Sequence, residues 1–189
     1  MWDLSHSVVL RPGLGKPAVA LAWHRAGAGN GMLHPFGLCF AGRAIVKWDL
    51  ENPFIDEVRV QPADIDELGH ANNAVYVRWL ERCAWQHSRS LGLGLEEYQQ
   101  LDRAMVVVRH EIDYLAAAYL DEELSMGTWI VSWDSKLRMT RRFQLCRPRD
   151  GVTLLRAHTT FACVELSSGR PRRMPREFIE LYGKAIVSA

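Results

Sequence analysis

ADIDELGHANNAVYVRWLE, Ala63 to Glu81, sets three carboxylates, a Gly-His pair and a double Asn directly before an apolar-periodic run. Val75, Tyr76, Trp79, Leu80, Cys83, Ala84 and Leu91 fall at helical spacing on one broad face, while Arg78, Glu81, Arg82, Gln86 and Arg89 take the other. The spacing predicts an amphipathic helix from about Asn72 to Leu91, stopped at Gly92. Two readings of the turn before it compete. In the structural one, Asn72 caps the helix, and Asp64 and Asp66 are turn residues favoured by its positive end. In the chemical one, the turn is an active site.

Outward from this stretch the chain reads as strands. FIDEVRVQP, Phe54 to Pro62, alternates as a strand before the turn. After the helix, Leu95 to Leu101 predicts one short further helix. Four long strands follow: Ala104 to Leu115, Glu123 to Ser135, Arg138 to Arg147 and Thr153 to Leu166. PRDG, Pro148 to Gly151, is a hairpin turn signal, and Pro175 opens a last helix reaching Ala185. Tight links imply antiparallel pairing, and one long helix against one antiparallel sheet is an α+β fold.

The chain has 189 residues, 48% hydrophobic and 24% charged, which suits one globular domain. No apolar run approaches the length needed to cross a membrane. A net charge of +1 gives no whole-chain pointer to nucleic acid, but the charge is unevenly placed. Residues 51–135 carry 6 basic and 16 acidic side chains, whereas residues 136–189 carry 12 basic and 4 acidic. The basic third is either a phosphate surface or a set of solvated strand faces. Cys39, Cys83, Cys146 and Cys163 form no CxxC pair and have no His at zinc spacing, so buried, reduced thiols in a cytoplasmic protein are expected. No metal or cofactor is implied.

Residues 1–50 differ. They hold 7 of the 14 glycines, show no steady period, and between Leu4 and Trp48 carry no acid against five basic residues. We expect a loosely structured extension over 1–50 and a folded domain over 51–189. One reading makes the extension the product of an upstream start codon, with Met32 or a later residue as the true start.

The chemistry available to the turn is acyl transfer. A helix N-terminus presents unpaired amides and about half a positive charge, which stabilise an oxyanion. Asn72 and Asn73 lie where those amides should be, and Asp66 lies just before them. An ionised Asp66 can attack a carbonyl carbon or activate water. Gly69 lets the backbone pass close to a ligand.

The pattern D-x-D-x-x-G-H-x-N-N-x-x-Y, Asp64 to Tyr76, resembles the hotdog-fold thioesterases, especially the 4-hydroxybenzoyl-CoA thioesterase group and its acyl-ACP thioesterase relatives. The resemblance spans roughly Phe54 to Tyr182, including HEIDYLAAAYLDEEL, the WIVSW strand and RMPREFIEL. It implies a long helix wrapped by a curved antiparallel sheet. It also implies a homodimer or homotetramer with sites between subunits, a role in fatty acid metabolism, and an acyl-CoA or acyl-ACP substrate. By residue, it makes Asp66 the catalytic carboxylate, places the polarising amide at about Asn73, and gives His70 an assisting role. Gly69 and Tyr76 belong to the substrate-binding motif. Leu68 stands where acyl-ACP relatives carry Asn, and Ala71 where Val is usual. The basic cluster that meets CoA phosphates is reduced here to Lys136 and Arg138.

Other residues have plainer roles. Glu81 is expected to pair with Arg78 or Arg82 rather than replace Asp66, and Cys83 to pack in the helix core. His110 and His158 read as structural, Arg170 to Arg173 as a solvated turn, and Trp79, Trp129 and Trp133 as core or acyl-tunnel residues. There is no G-x-S-x-G elbow. The rivals to thioester hydrolysis are a dehydratase or hydratase on the same fold, and a non-catalytic acyl-CoA-binding protein.

Overall fold

The structure is a computed structural model that describes residues 8–10 and 46–187. Met32, Cys39 and most of the segment read as an extension lie outside the described residues. Strand β1 is Val8–Leu10, and β2 is Phe54–Arg59. A single 3-10 turn, Pro62–Asp64, leads into helix α1, Asn73–Ser90. Helix α2, Leu95–Gln100, precedes strands β3, Arg103–Tyr114, and β4, Glu123–Trp133. Strands β5, Arg138–Arg147, and β6, Val152–Glu165, come before α3, Arg176–Gly183.

One sheet has the order β1-β3-β6-β5-β4-β2. The five strands after residue 50 pair antiparallel, as the tight links require, while β1 adds in parallel beside His110–Ile112 of β3. Register shifts at Val107/Arg109 and Ile130/Ser132 bend the sheet, because an extra residue increases local twist. The curved sheet wraps α1, so the α+β hotdog arrangement holds.

Two clusters fill the inside. Under the first half of α1, Val75, Tyr76, Trp79, Leu80 and Cys83 meet Val58, Leu124, Met126, Phe143 and Leu145. Beyond its C-terminal end, Leu93, Tyr98, Met139, Phe178 and Tyr182 form the second. Each fully buried side chain of this size contributes about 1.5–3 kcal/mol, so the apolar face of α1 holds the helix in place. The helix ends as read: Leu91 is the C-cap, and Gly92 takes φ +84°, open to glycine at little cost.

The sheet face turned away from α1 is covered in part by Trp48–Leu50. The Trp48 ring lies so close to Gly127 that a Cβ there would stand 2.6 Å from it. Asp49 is paired with Arg142 at 2.6 Å and Arg156 at 2.7 Å, and both guanidiniums hold its carboxyl below the usual range. Cys83, Cys146 and Cys163 are free and buried, and burial pushes the Cys83 thiol up to about 12.

Candidate active site

The Asp64–Asn73 turn is a closed loop. Ile65 and Ala71 form an antiparallel bridge, the Asp66 amide donates to the His70 carbonyl at 3.0 Å, and the Gly69 amide returns to the Asp66 carbonyl at 3.0 Å. Gly69 turns the corner with φ +79°. The Asp66 Oδ1 accepts the Leu68 amide at 2.8 Å, an Asx-turn that aims the carboxylate. Its Oδ2 has no partner among the described residues. His70 Nδ1 stands 3.8 Å from the same Oδ1, beyond hydrogen-bond reach.

At the helix start, Asn72 is the N-cap, with Oδ1 accepting the Ala74 amide at 2.9 Å. The Asn72 amide donates to the Asp64 carbonyl, and the Val75 amide to the Asn72 carbonyl. The Asn73 amide between them has no partner among the described residues. Asp64 is buried and spent on structure: it accepts the Gln61 amide at 2.9 Å and pairs with Arg78 at 2.9 Å. The β3–β4 connection braces the turn. The Ala71 amide donates to the Ala118 carbonyl at 2.8 Å, and the Ala118 amide to the Tyr76 hydroxyl at 3.1 Å. The Tyr114 hydroxyl donates to the Asn73 carbonyl at 3.1 Å.

The structure therefore gathers Asp66, Gly69, His70 and Asn73. Tyr76 is 2% exposed, with its hydroxyl bound to the turn's brace, so it positions the turn from beneath. Lys136 and Arg138 lie elsewhere in the protomer. They flank the β4–β5 hairpin, where Asp134 Oδ1 accepts the amides of Lys136, Leu137 and Arg138. The turn sits by the start of β4, since the Val60 amide meets the Glu122 carbonyl, and the hairpin follows the strand's far end. An eleven-residue strand spans roughly 36 Å, so one protomer does not bring these groups to Asp66. Glu81 does not find its expected arginines: Arg78 goes to Asp64, and Arg82 pairs with Asp56 at 2.8 Å. Those acids belong to the preceding strand and turn, close in space but not in sequence.

A cavity of about 390 Å³ lies between α1 and the β3, β5 and β6 strands. Its helix wall is the stripe Val77, Leu80, Glu81, Ala84, Trp85 and Ser88. Across from it stand Met105, Val106, Phe143 and Phe161, with Arg141 and Tyr182 at the fully buried end. The stripe begins at Val77, one helical turn after Asn73. Among the tryptophans it is Trp85 that lines the cavity, while Trp79 packs in the core and Trp129 donates to the Glu51 carbonyl at 2.8 Å. His110 is both structural, with Nδ1 2.9 Å from Thr159 Oγ1, and part of the cavity wall.

The Thioesterase-like superfamily profile covers residues 60–181. The chain belongs to that superfamily. It is 34% identical over 132 residues to acyl-CoA thioesterase YbgC of Haemophilus influenzae, covering 68% of this chain and 93% of that one. It is 32% identical to Protein THEM6 of Danio rerio over 53% of this chain and 50% of the relative. Among solved structures, a 1,4-dihydroxy-2-naphthoyl-CoA thioesterase from Synechocystis superposes with TM-score 0.63 at 20% identity, over 70% of this chain and 96% of its own. A Staphylococcus aureus protein solved in complex with CoA gives 0.66 at 20%, over 78% and 92%. These likenesses show the same fold.

This thioesterase is a thioester hydrolase whose turn offers one aimed carboxylate, one histidine and one open amide. Sequence reasoning missed the buried polar group at the far end of its cavity. Arg141 donates to His87 Nδ1 at 2.8 Å and to Ser88 Oγ at 3.0 Å. Tyr182 bonds Ser88 at 2.9 Å and Tyr98 at 2.6 Å. A signal was present: Met139, Arg141, Phe143 and Leu145 share one face of β5 at period two, so Arg141 had to point inward with them. No described helix of the thioesterase is long and apolar enough to cross a membrane.

Proposed function

We propose that this thioesterase hydrolyses an acyl-CoA to the free carboxylic acid and CoA at the Asp66 turn, in the cytoplasm. The observation that carries the reading is the Asn73 amide at the positive end of α1, without a partner among the described residues, in the same closed turn as a carboxylate with one oxygen unpaired among them. The thioester carbonyl oxygen accepts from the Asn73 amide, which holds the oxyanion as the carbonyl carbon becomes tetrahedral. Asp66 either attacks that carbon, giving a mixed anhydride that water then cleaves, or takes a proton from the attacking water. The carbon–sulfur bond breaks, CoA leaves as the thiolate, and the acid departs carrying the oxygen of water. His70 orients the water or the substrate from across the loop, and Gly69 keeps the rim free of a side chain. The names of relatives support a CoA thioester: YbgC is an acyl-CoA thioesterase, and one structural neighbour was solved with CoA. A homodimer would let Lys136 and Arg138 of one copy meet the CoA phosphates of a site opened by the other, which a single protomer cannot do.

The test is thiol release from short, long and aromatic acyl-CoAs by wild type and Asp66→Asn. Asparagine keeps the Asx-turn to Leu68, so the substitution removes the charge and little else. We expect wild type to turn over and the variant to lose two to three orders of magnitude or more, at about the scale of a principal catalytic group. Unchanged activity in the variant would take the role from Asp66. Enoyl-CoA absorbance changing without thiol release would make the chain a hydratase. Tight binding with neither change would make it a binding protein.

A further inference from the structure

Arg141 is 1% exposed, yet it forms part of the cavity wall. Its polar neighbours are neutral. A guanidinium only donates, so His87 Nδ1 must accept, which places the ring proton on Nε2 and leaves the imidazole uncharged. Burial and the neighbouring guanidinium hold the His87 pKa down to about 3, in agreement. Ser88 Oγ takes a second donor, and the Tyr182 ring lies 5.7 Å from the guanidinium carbon. No Asp or Glu among the described residues forms an ion pair with Arg141, and outside them only Asp3 carries a carboxylate side chain. The other buried arginine among the described residues, Arg147, is by contrast paired with both Glu122 and Asp150 at 3.0 Å.

Taking a charge out of water carries a large penalty even after relaxation. The negative end of α1 at His87 and Ser88, the neutral hydrogen bonds and the ring contact each offset only part of that. The missing partner is an anion, and the cavity is the route by which one can arrive. Exposed Glu81 and Val106 mark its open side, and apolar side chains line the way to Arg141. The stripe from Val77 to Ser88 runs roughly 16 Å along the helix at about 1.5 Å per residue. A carbonyl held at the Asn73 amide lies a further turn back, roughly 22 Å from Ser88 along the helix, which is room for an extended long acyl chain.

We propose that the cavity takes an acyl chain whose far end is a carboxylate received by Arg141, so that the preferred substrate is the CoA monothioester of a dicarboxylic acid. The proposal rests on the reading of this chain as an acyl-CoA thioesterase. A carboxylate meets the guanidinium in a charge-assisted pair, whereas a methyl end leaves the charge alone in apolar surroundings. Glu81 does not oppose this, because it is exposed on the stripe's open side, about two helical turns before Ser88, and keeps its water.

The experiment compares hexadecanedioyl-CoA with hexadecanoyl-CoA in thiol release. Their non-hydrolysable thioether analogues are compared in direct binding, followed by calorimetry and by the fluorescence of Trp85. We expect wild type to favour the carboxylate-ended compound by about 100-fold or more in kcat/KM and in affinity, since a buried polar site rejects a ligand that leaves it unpaired. Arg141→Met should erase that preference, the ratio between the two compounds falling to near one. The wild-type comparison needs no variant, so it decides even where Arg141→Met fails to fold. Equal affinity for the two analogues overturns the proposal. Selective binding of the carboxylate-ended analogue with no thiol release from either substrate upholds the pocket and overturns the hydrolytic reading instead.

Discussion

The two ends of α1 treat polar groups in opposite ways. At the first, Asp66 and His70 are half-buried beside water, and an amide and a carboxylate oxygen have no partner among the described residues. At the last, Arg141, His87, Ser88, Tyr98 and Tyr182 are buried and bonded to one another. The helix dipole suits both: its positive end faces the place where negative charge would develop, and its negative end faces a guanidinium. Open polar groups at a helix start are cheap in stability and available for chemistry. Buried ones must be bonded, so they are tied to the fold, and at Arg141 that bonding is to neutral groups and leaves the charge itself without a carboxylate. The difference teaches that charge removed at the turn should be felt in rate, and charge added at the far end should be felt in stability.

The largest expected effect breaks the comparison if it fails. Asp66→Asn should lose two to four orders of magnitude in kcat, equivalent to about 3–5 kcal/mol of barrier, while urea unfolding shifts by no more than about 0.5 kcal/mol. A variant that loses stability and rate together would make Asp66 part of the scaffold.

Next comes acid. The folded His87 has a pKa near 3, against 6.5 for an ordinary histidine, because burial disfavours the charged ring. Between these values the unfolded chain binds a proton that the folded chain does not, so stability falls as the pH falls through that window. The loss is on the order of 1.4 kcal/mol per pH unit below about 6.5, with no contribution from His87 above it. Urea titrations at stepped pH measure it. A stability flat from pH 6.5 to 4.5 would mean that the far end tolerates charge after all.

Tyr182→Phe probes the same end more gently. Tyr182 is fully buried, and its hydroxyl joins Ser88 to Tyr98. Its removal should cost about 1–3 kcal/mol in chemical denaturation, with a broken hydrogen-bond pair rather than a cavity as the cause. Turnover of short acyl-CoAs that do not reach the far end should stay near wild type.

How much of this was legible depended on whether a feature is local. The α1 face, its Asn72 cap and the order of five strands follow from period and turn chemistry within short windows, and the structure carries them at nearly the expected residues. Pairing across elements left no such trace. Arg78 and Arg82 had plausible partners one turn away in Glu81, yet they meet Asp64 and Asp56, which the fold brings alongside. Trp48 and Asp49 lie against Gly127, Arg142 and Arg156, and the irregular composition before them gave no phase from which to see it. Lys136 and Arg138 were tied by resemblance to CoA phosphates at a site between subunits, and strand length puts them at the other end of β4 from the turn of their own protomer. Arg141 was readable in principle, because alternation in β5 forces it inward. What it bonds there depends on α1 and α3, which meet only in the fold.

The smallest effect concerns Asn72, where the structural and chemical readings of the turn overlap. Its Oδ1 satisfies the Ala74 amide, and the next amide back, that of Asn73, is the open one. Asn72→Ala should cost about 1 kcal/mol of stability through the lost cap. Asn72→Asp keeps the capping oxygen and puts a negative charge beside the position proposed for the oxyanion. The capping reading alone predicts that aspartate is as good as asparagine, since the two cap equally well and an acid favours a helix start. The chemical reading predicts a drop of roughly tenfold in kcat at unchanged or improved stability, because about 1.4 kcal/mol of repulsion at the developing charge is a tenfold change in rate. Stability and turnover measured on this one pair of variants therefore separate a helix start that only begins a helix from one that also holds an oxyanion.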